Sequence, residues 1–137
     1  GIDGNKMSKS YSNYIDLFTE EKTLQKKINQ IKTDSLEPGE KKPKNSILYK
    51  YFKCFGNEKD LKKINDYFDE GMGWGDLKKE LFKIINNELA PFRDEYLNLI
   101  NNPKKVEEIL RAGEIKAQKI ASANLKKIRS LVGIRSL

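Results

Sequence analysis

Apolar residues recur at helical spacing over most of this chain. Leu24, Ile28 and Ile31 share one face of a segment that Thr19 opens as N-cap, with Glu20 and Glu21 in its first turn. That segment predicts a helix to about residue 31, with part of its apolar face left uncovered. Ile47, Leu48, Tyr51, Phe52 and Phe55 form the stripe of a second helix, started by Asn45 or Ser46 and stopped at Gly56. Asn57 caps a third helix reaching about Glu70, with Leu61, Ile64 and Phe68 inward. Asp76 reads as the cap of a fourth, in which Leu77, Leu81, Ile84, Ile85, Leu89, Phe92, Tyr96, Leu99 and Ile100 keep step to Asn101. Pro91 lies inside it and is expected to kink it, because proline lacks the N–H and clashes with the preceding turn. Asn102-Pro103 supplies a cap and a first-turn proline for a fifth helix running to Leu131, with a weak point at Gly113. A short extra helix over residues 13–18, capped by Ser12, is also expected. No stretch alternates as a strand does. The predicted class is all-α, a bundle of about five to seven helices preceded by a polar loop.

Two interruptions organise the pattern. Residues 35–46 hold Pro38, Gly39 and Pro43 among lysines and glutamates, the composition of a linker. They divide the chain into residues 1–34, a linker at 35–46, and a helical domain at 47–137. The second interruption is Gly71-Met72-Gly73-Trp74-Gly75. Its single-residue glycine spacing, with no strand before it, excludes a dinucleotide fingerprint. The glycines instead let Trp74 fold onto the core.

Composition narrows the chemistry. The chain has 137 residues, enough for one modest core, and its 37% hydrophobic and 34% charged residues suit a helical domain with much exposed surface. No apolar run approaches the roughly 18 residues of a membrane span. The single cysteine, Cys54, excludes an internal disulfide; it sits among aromatic residues and reads as a packing residue. These features fit a cytoplasmic protein. Histidine is absent, which removes imidazole acid–base catalysis and most zinc chemistry.

The net charge of +7 is unevenly placed. Residues 115–137 carry Lys116, Lys119, Lys126, Lys127, Arg129 and Arg135 and no acidic side chain. Ala117, Ile120, Ala121, Leu125, Ile128, Leu131 and Val132 share one side of that helix, and the four lysines fall on the other. The face is either ordinary solvated surface or a binding surface for an anionic polymer, with RNA the natural candidate.

One stretch carries candidate chemistry. In Lys6-Met7-Ser8-Lys9-Ser10, two lysines flank a hydroxyl residue, a second hydroxyl follows, and Gly4 and Asn5 precede in turn-forming positions. Lysine charges, serine hydroxyls and free backbone N–H groups suit phosphate oxygens. Taken by itself, such a short lysine/serine loop is usually just solvated surface.

The pentapeptide is identical to the signature loop of class I aminoacyl-tRNA synthetases. Asn13-Tyr14-Ile15-Asp16-Leu17-Phe18, Lys26-Lys27-Ile28 and Lys32-Thr33-Asp34-Ser35 follow it, then Gly73-Trp74-Gly75-Asp76-Leu77-Lys78, Pro91-Phe92-Arg93 and Asn102-Pro103. This order resembles the C-terminal part of bacterial tryptophanyl-tRNA synthetases over essentially the whole chain. The resemblance implies activation of tryptophan with ATP and its transfer to tRNA(Trp), with Mg²⁺ sharing the phosphate charge. It implies that Lys9, assisted by Lys6, stands at the departing pyrophosphate. Ser8 and Ser10 would donate to phosphate oxygens, and Met7 would tie the loop to the helical domain. The basic helix would bind tRNA, and the complete enzyme would be a homodimer. The family's nucleotide-binding, Rossmann-like half has histidines that this sequence does not contain, so the chain reads as a fragment that is inactive alone. A tyrosyl-tRNA synthetase segment and a stand-alone basic RNA-binding module are the competing readings.

Overall fold

A computed structural model describes residues 1–134. Five helices follow one another: α1 (Glu21–Asn29), α2 (Ile47–Phe55), α3 (Glu58–Asp69), α4 (Trp74–Ile100) and α5 (Pro103–Leu131). No strand occurs among the described residues. The chain divides into two compact units, Gly1–Asp94 and Glu95–Leu137.

The first unit is built round the predicted stripes. Leu24, Ile28 and Ile31 meet Leu48 and Phe52 from α2, Ile64 and Phe68 from α3, and Leu77, Leu81 and Ile85 from α4 in one buried cluster. The apolar face of α1 is therefore fully covered within the chain, where partial exposure was expected. Phe68 lies at the centre. Tyr49, Phe52 and Trp74 pack edge-on against it at centroid separations of 5.0, 6.1 and 6.1 Å. That geometry suits the ring quadrupoles. Trp74 thus folds onto the core as the glycine turn implied.

Local chemistry fixes the helix ends. Asn57 accepts from the backbone N–H of Lys59 and Asp60, and Asp60 accepts from that of Asn57, a full capping box. Ser46 caps α2 by accepting from Tyr49 N–H. The start of α1 is Glu21, with Glu20 rather than Thr19 at the cap and no side-chain cap bond. Its last turn is closed by Lys78, whose Nζ donates to the Asn29 carbonyl at 2.8 Å. Burial lowers the Lys78 pKa. The fourth helix begins at Trp74, so Asp76 lies in its first turn instead of capping it. No helix forms over residues 13–18. Asn13 is committed to the loop before it, and Asp16 accepts from Phe18 N–H at 3.2 Å, a turn-type bond that competes with helix. Cys54 is exposed, contrary to the packing role expected from its aromatic neighbours, because it falls off the side of α2 that carries Leu48, Tyr51 and Phe52.

Residues 35–46 carry a buried cation. Lys42 is 1% exposed. Its ammonium donates to the carbonyls of Leu36 and Glu37 and stands 5.5 Å from the Trp74 ring centroid. Buried charge is tolerated only with such partners. Its backbone N–H donates to Phe68 at 2.8 Å, and Gly39 donates to the Gly71 carbonyl at 2.8 Å. The segment is tied to α3 and to the turn that follows it.

The second unit contains the end of α4 and all of α5. Asn102 caps α5 by accepting from Lys105 N–H, and Pro103 occupies the first turn, as the sequence predicted. Lys105 pairs with Glu95 at 3.3 Å. None of the residues of α5 is buried.

Candidate anion-binding loop and basic helix

The lysine loop owes its shape to one buried asparagine. Asn13 is 3% exposed. Its Nδ2 donates to Asp3 Oδ1 at 2.9 Å and to the Lys6 carbonyl at 3.0 Å. Its Oδ1 accepts from Ser8 N–H at 2.7 Å, and its carbonyl accepts from Ile2 N–H at 2.9 Å. Asp3 also takes both N–H groups that Asn5 offers, at 3.1 and 3.0 Å. Those donors, led by the Asn5 and Asn13 amides, pull the Asp3 pKa down to about 2. Gly4 supports the turn with φ +88°, a region that favours glycine.

The second half of the loop has separate supports. Ser12 N–H donates to the Lys9 carbonyl at 3.1 Å, closing a turn over Lys9, Ser10 and Tyr11. Ser12 itself has φ +50°, an uncommon conformation for a residue with a side chain. Lys27 of α1 donates to the Ser12 carbonyl at 2.8 Å and lies over the Tyr14 ring, 5.8 Å from its centroid.

This scaffold presents Lys6, Lys9 and Ser10 to solvent and leaves Ser8 half-buried. Neither loop lysine's ammonium has an ion-pair or hydrogen-bond partner among the described residues. Two unpaired cations three residues apart suit an anion with several charged oxygens. Ser8 N–H is already spent on Asn13, so the expectation of free backbone donors fails at that position. Met7 is exposed, and with Gly4, Ile47, Tyr51 and Cys54 it lines a cavity of about 240 Å³. A shallow hollow of about 410 Å³ adjoins Lys9, bounded by Tyr14, Ile15, Asp16 and Leu17.

Among the described residues no carboxylate cluster is arranged to hold magnesium by protein ligands alone. No group of three potential metal ligands occurs among the described residues, and the loop's carboxylate, Asp3, is bonded to Asn5 and Asn13.

In α5, Lys116, Lys119, Lys126, Lys127 and Arg129 are all exposed, and none of their charged groups has a partner among the described residues. Arg135 lies outside the described residues. The apolar side of the helix, including Ile120, Leu125, Ile128 and Leu131, is exposed as well. Sequence reasoning placed the loop lysines and the basic face; it missed Asn13 and Asp3 as organisers. A lone asparagine in a polar run gives no periodic signal.

Comparison with known proteins agrees with this geometry. Residues 1–90 match the family model described as tRNA synthetases class I (W and Y). A tryptophan–tRNA ligase of Pseudomonas syringae pv. tomato is 41% identical over 137 residues, covering 99% of this chain and 30% of that protein. One of Neisseria meningitidis serogroup A is 45% identical over 138 residues, covering 100% of this chain and 41% of that protein. The crystal structure of tryptophanyl-tRNA synthetase from Campylobacter jejuni complexed with ADP and tryptophan superposes with a TM-score of 0.92 at 38% identity. It covers 98% of this chain and 43% of that one. The chain thus spans between 30% and 41% of the length of these curated relatives. No helix among the described residues is long and apolar enough to cross a membrane.

Proposed function

This chain belongs to the class I tRNA synthetases (W and Y), and on that premise we propose that it supplies the phosphate-handling loop and tRNA-binding helices of a tryptophan–tRNA ligase. The observation that carries the reading is the loop itself. Lys6 and Lys9 are exposed and unpaired on a backbone held by a buried asparagine. Relatives at 41% and 45% identity that are tryptophan–tRNA ligases favour tryptophan over tyrosine.

In this reading the substrates of the complete enzyme are ATP, tryptophan and tRNA(Trp). The tryptophan carboxylate attacks the α-phosphorus of ATP, an aminoacyl-adenylate forms, and pyrophosphate departs. Negative charge grows on the leaving group as the bond breaks. Lys9, with Lys6 beside it, stabilises that charge, and Ser8 and Ser10 donate to phosphate oxygens. Because that charge is greater in the transition state than in bound ATP, the lysines act more on rate than on ATP binding. No step is assigned to a metal held by this chain. The aminoacyl group then passes to the tRNA 3′ end. Lys116, Lys119, Lys126, Lys127 and Arg129 hold tRNA phosphates, with Arg135 continuing the basic run. Residues 1–34 carry the loop and its supporting helix, 35–46 connect, and 47–137 form the tRNA-binding part. The complete enzyme is a cytoplasmic homodimer.

The test is amino-acid-dependent exchange of pyrophosphate into ATP by the complete synthetase. Exchange is expected with tryptophan and not with tyrosine. Exchange driven by tyrosine, or by neither, contradicts the assignment.

A further inference from the structure

We propose that Asn13 is the positioning residue of the lysine loop. Its amide, together with Asp3, fixes the backbone from Lys6 to Ser8 so that the loop meets a nucleotide polyphosphate through the side chains of Lys6 and Lys9 and not through the Ser8 N–H. The inference rests on the reading that this loop handles the phosphates of ATP.

The amide of Asn13 makes three hydrogen bonds, with both its donors in use. Its two bonds through Nδ2 and the one through Oδ1 reach residues ten, seven and five positions away. They cross-link the entry to the loop, its first lysine and its first serine. Buried polar networks of this kind specify one conformation when every member is satisfied. The surroundings allow no slack: a Cβ on Gly1 would lie 2.6 Å from Asn13 Nδ2 and 2.7 Å from its carbonyl. The chain here passes so close that only glycine fits without a shift. With Ser8 N–H and the Lys6 carbonyl both engaged, neither is left to reorganise when an anion arrives. The cations on either side are held at a fixed separation along the chain.

Other side chains do not meet these demands. Aspartate at position 13 keeps the acceptor for Ser8 N–H, loses both donors, and sets a second carboxylate against Asp3. Like charges so placed repel. Asparagine at position 3 relieves that repulsion, because its amide can donate to the carboxylate at 13 while its oxygen still accepts from Asn5 N–H.

Two readouts test the inference. The first is trypsin cleavage after Lys6 and Lys9 in this chain, which needs no activity. Asn13→Ala should accelerate it about 10²-fold, since it removes three bonds of on the order of 1 kcal/mol each. The second is tryptophan-dependent exchange by the complete synthetase. Asn13→Ala should lower kcat by about 10²-fold, the scale expected for misplacing a catalytic group by an ångström, with KM for tryptophan unchanged. Asn13→Asp should fall similarly, and adding Asp3→Asn to it should restore both readouts by about tenfold. That pair decides the matter if Asn13→Ala does not fold. Cleavage or kcat at the wild-type value in Asn13→Asp, or no recovery in the double variant, overturns the inference. If the wild-type synthetase shows no exchange, the activating reading fails, and the proteolysis arm alone decides whether Asn13 holds the loop.

Discussion

Asp3 shows how a loop of exposed residues acquires a fixed shape. Three N–H donors converge on its carboxylate, two from Asn5 and one from Asn13, and its pKa falls to about 2. A carboxyl whose folded pKa is depressed stabilises the fold above its ordinary value and loses that effect as pH falls through the depressed one. The bracket round Lys6 and Ser8 should therefore be unchanged from pH 5 to pH 9 and loosen only as the pH drops towards 2. Carbon-detected NMR titration of the Asp3 carboxyl should show a midpoint well below that of an unfolded-peptide aspartate; a midpoint at the ordinary value contradicts the bracket. Little of this was legible in the sequence. Lys6, Ser8, Lys9 and Ser10 announce themselves by charge and hydroxyl spacing. The role of Asn13 depends on bonds to three residues that only the folded loop brings to it.

At the scale of elements, periodicity was a sound guide to burial in the first unit, whereas the stripes of α5 and the end of α4 are exposed. Leu48 with Phe52, Ile64 with Phe68, and Leu77 with Leu81 and Ile85 were all expected inward and are buried. Short segments failed because a single side-chain bond outweighs their weak helical preference, as at Asp16 and Asn13. Caps were legible where the side chain itself bonds, at Ser46, Asn57 and Asn102. The start of α1 was missed because no side chain caps it. The turn between α3 and α4 is the tightest point of the first unit. Gly71 has φ +78°, and a Cβ there would lie 2.5 Å from the Gly39 carbonyl carbon. Gly71→Ala should therefore destabilise by at least about 1–3 kcal/mol from backbone strain alone. Gly75 has open space round its Cβ and lies in the first turn of α4. Gly75→Ala should be neutral or stabilise by up to about 1 kcal/mol. Urea denaturation of the two variants checks the contrast, and equal midpoints would contradict it.

Across the whole molecule, the two chemistries occupy different units: the lysine loop lies in Gly1–Asp94 and the acid-free basic run in Glu95–Leu137. The role proposed for the loop could be read from the sequence because five consecutive residues match a family signature. The basic face was legible as charge alone, because lysine is a point charge without the planar fork that reads bases. If Lys116, Lys119, Lys126 and Lys127 hold phosphates, changing all four to glutamine in the complete synthetase should weaken tRNA binding. The salt dependence should flatten by roughly three units of log–log slope, since each contact contributes about 0.7–0.9. Unchanged affinity and slope would mark the face as merely solvated. Adenylate formation should survive that change, because the loop is untouched. The most direct test of the account is the converse substitution, Lys9→Ala, assayed by tryptophan-dependent pyrophosphate exchange in the complete synthetase. Losing one preorganised cation at the departing pyrophosphate should cost about 10²–10³ in rate, with a smaller effect on ATP binding. An exchange rate indistinguishable from wild type would remove Lys9, and with it the proposed role of the loop, from the chemistry.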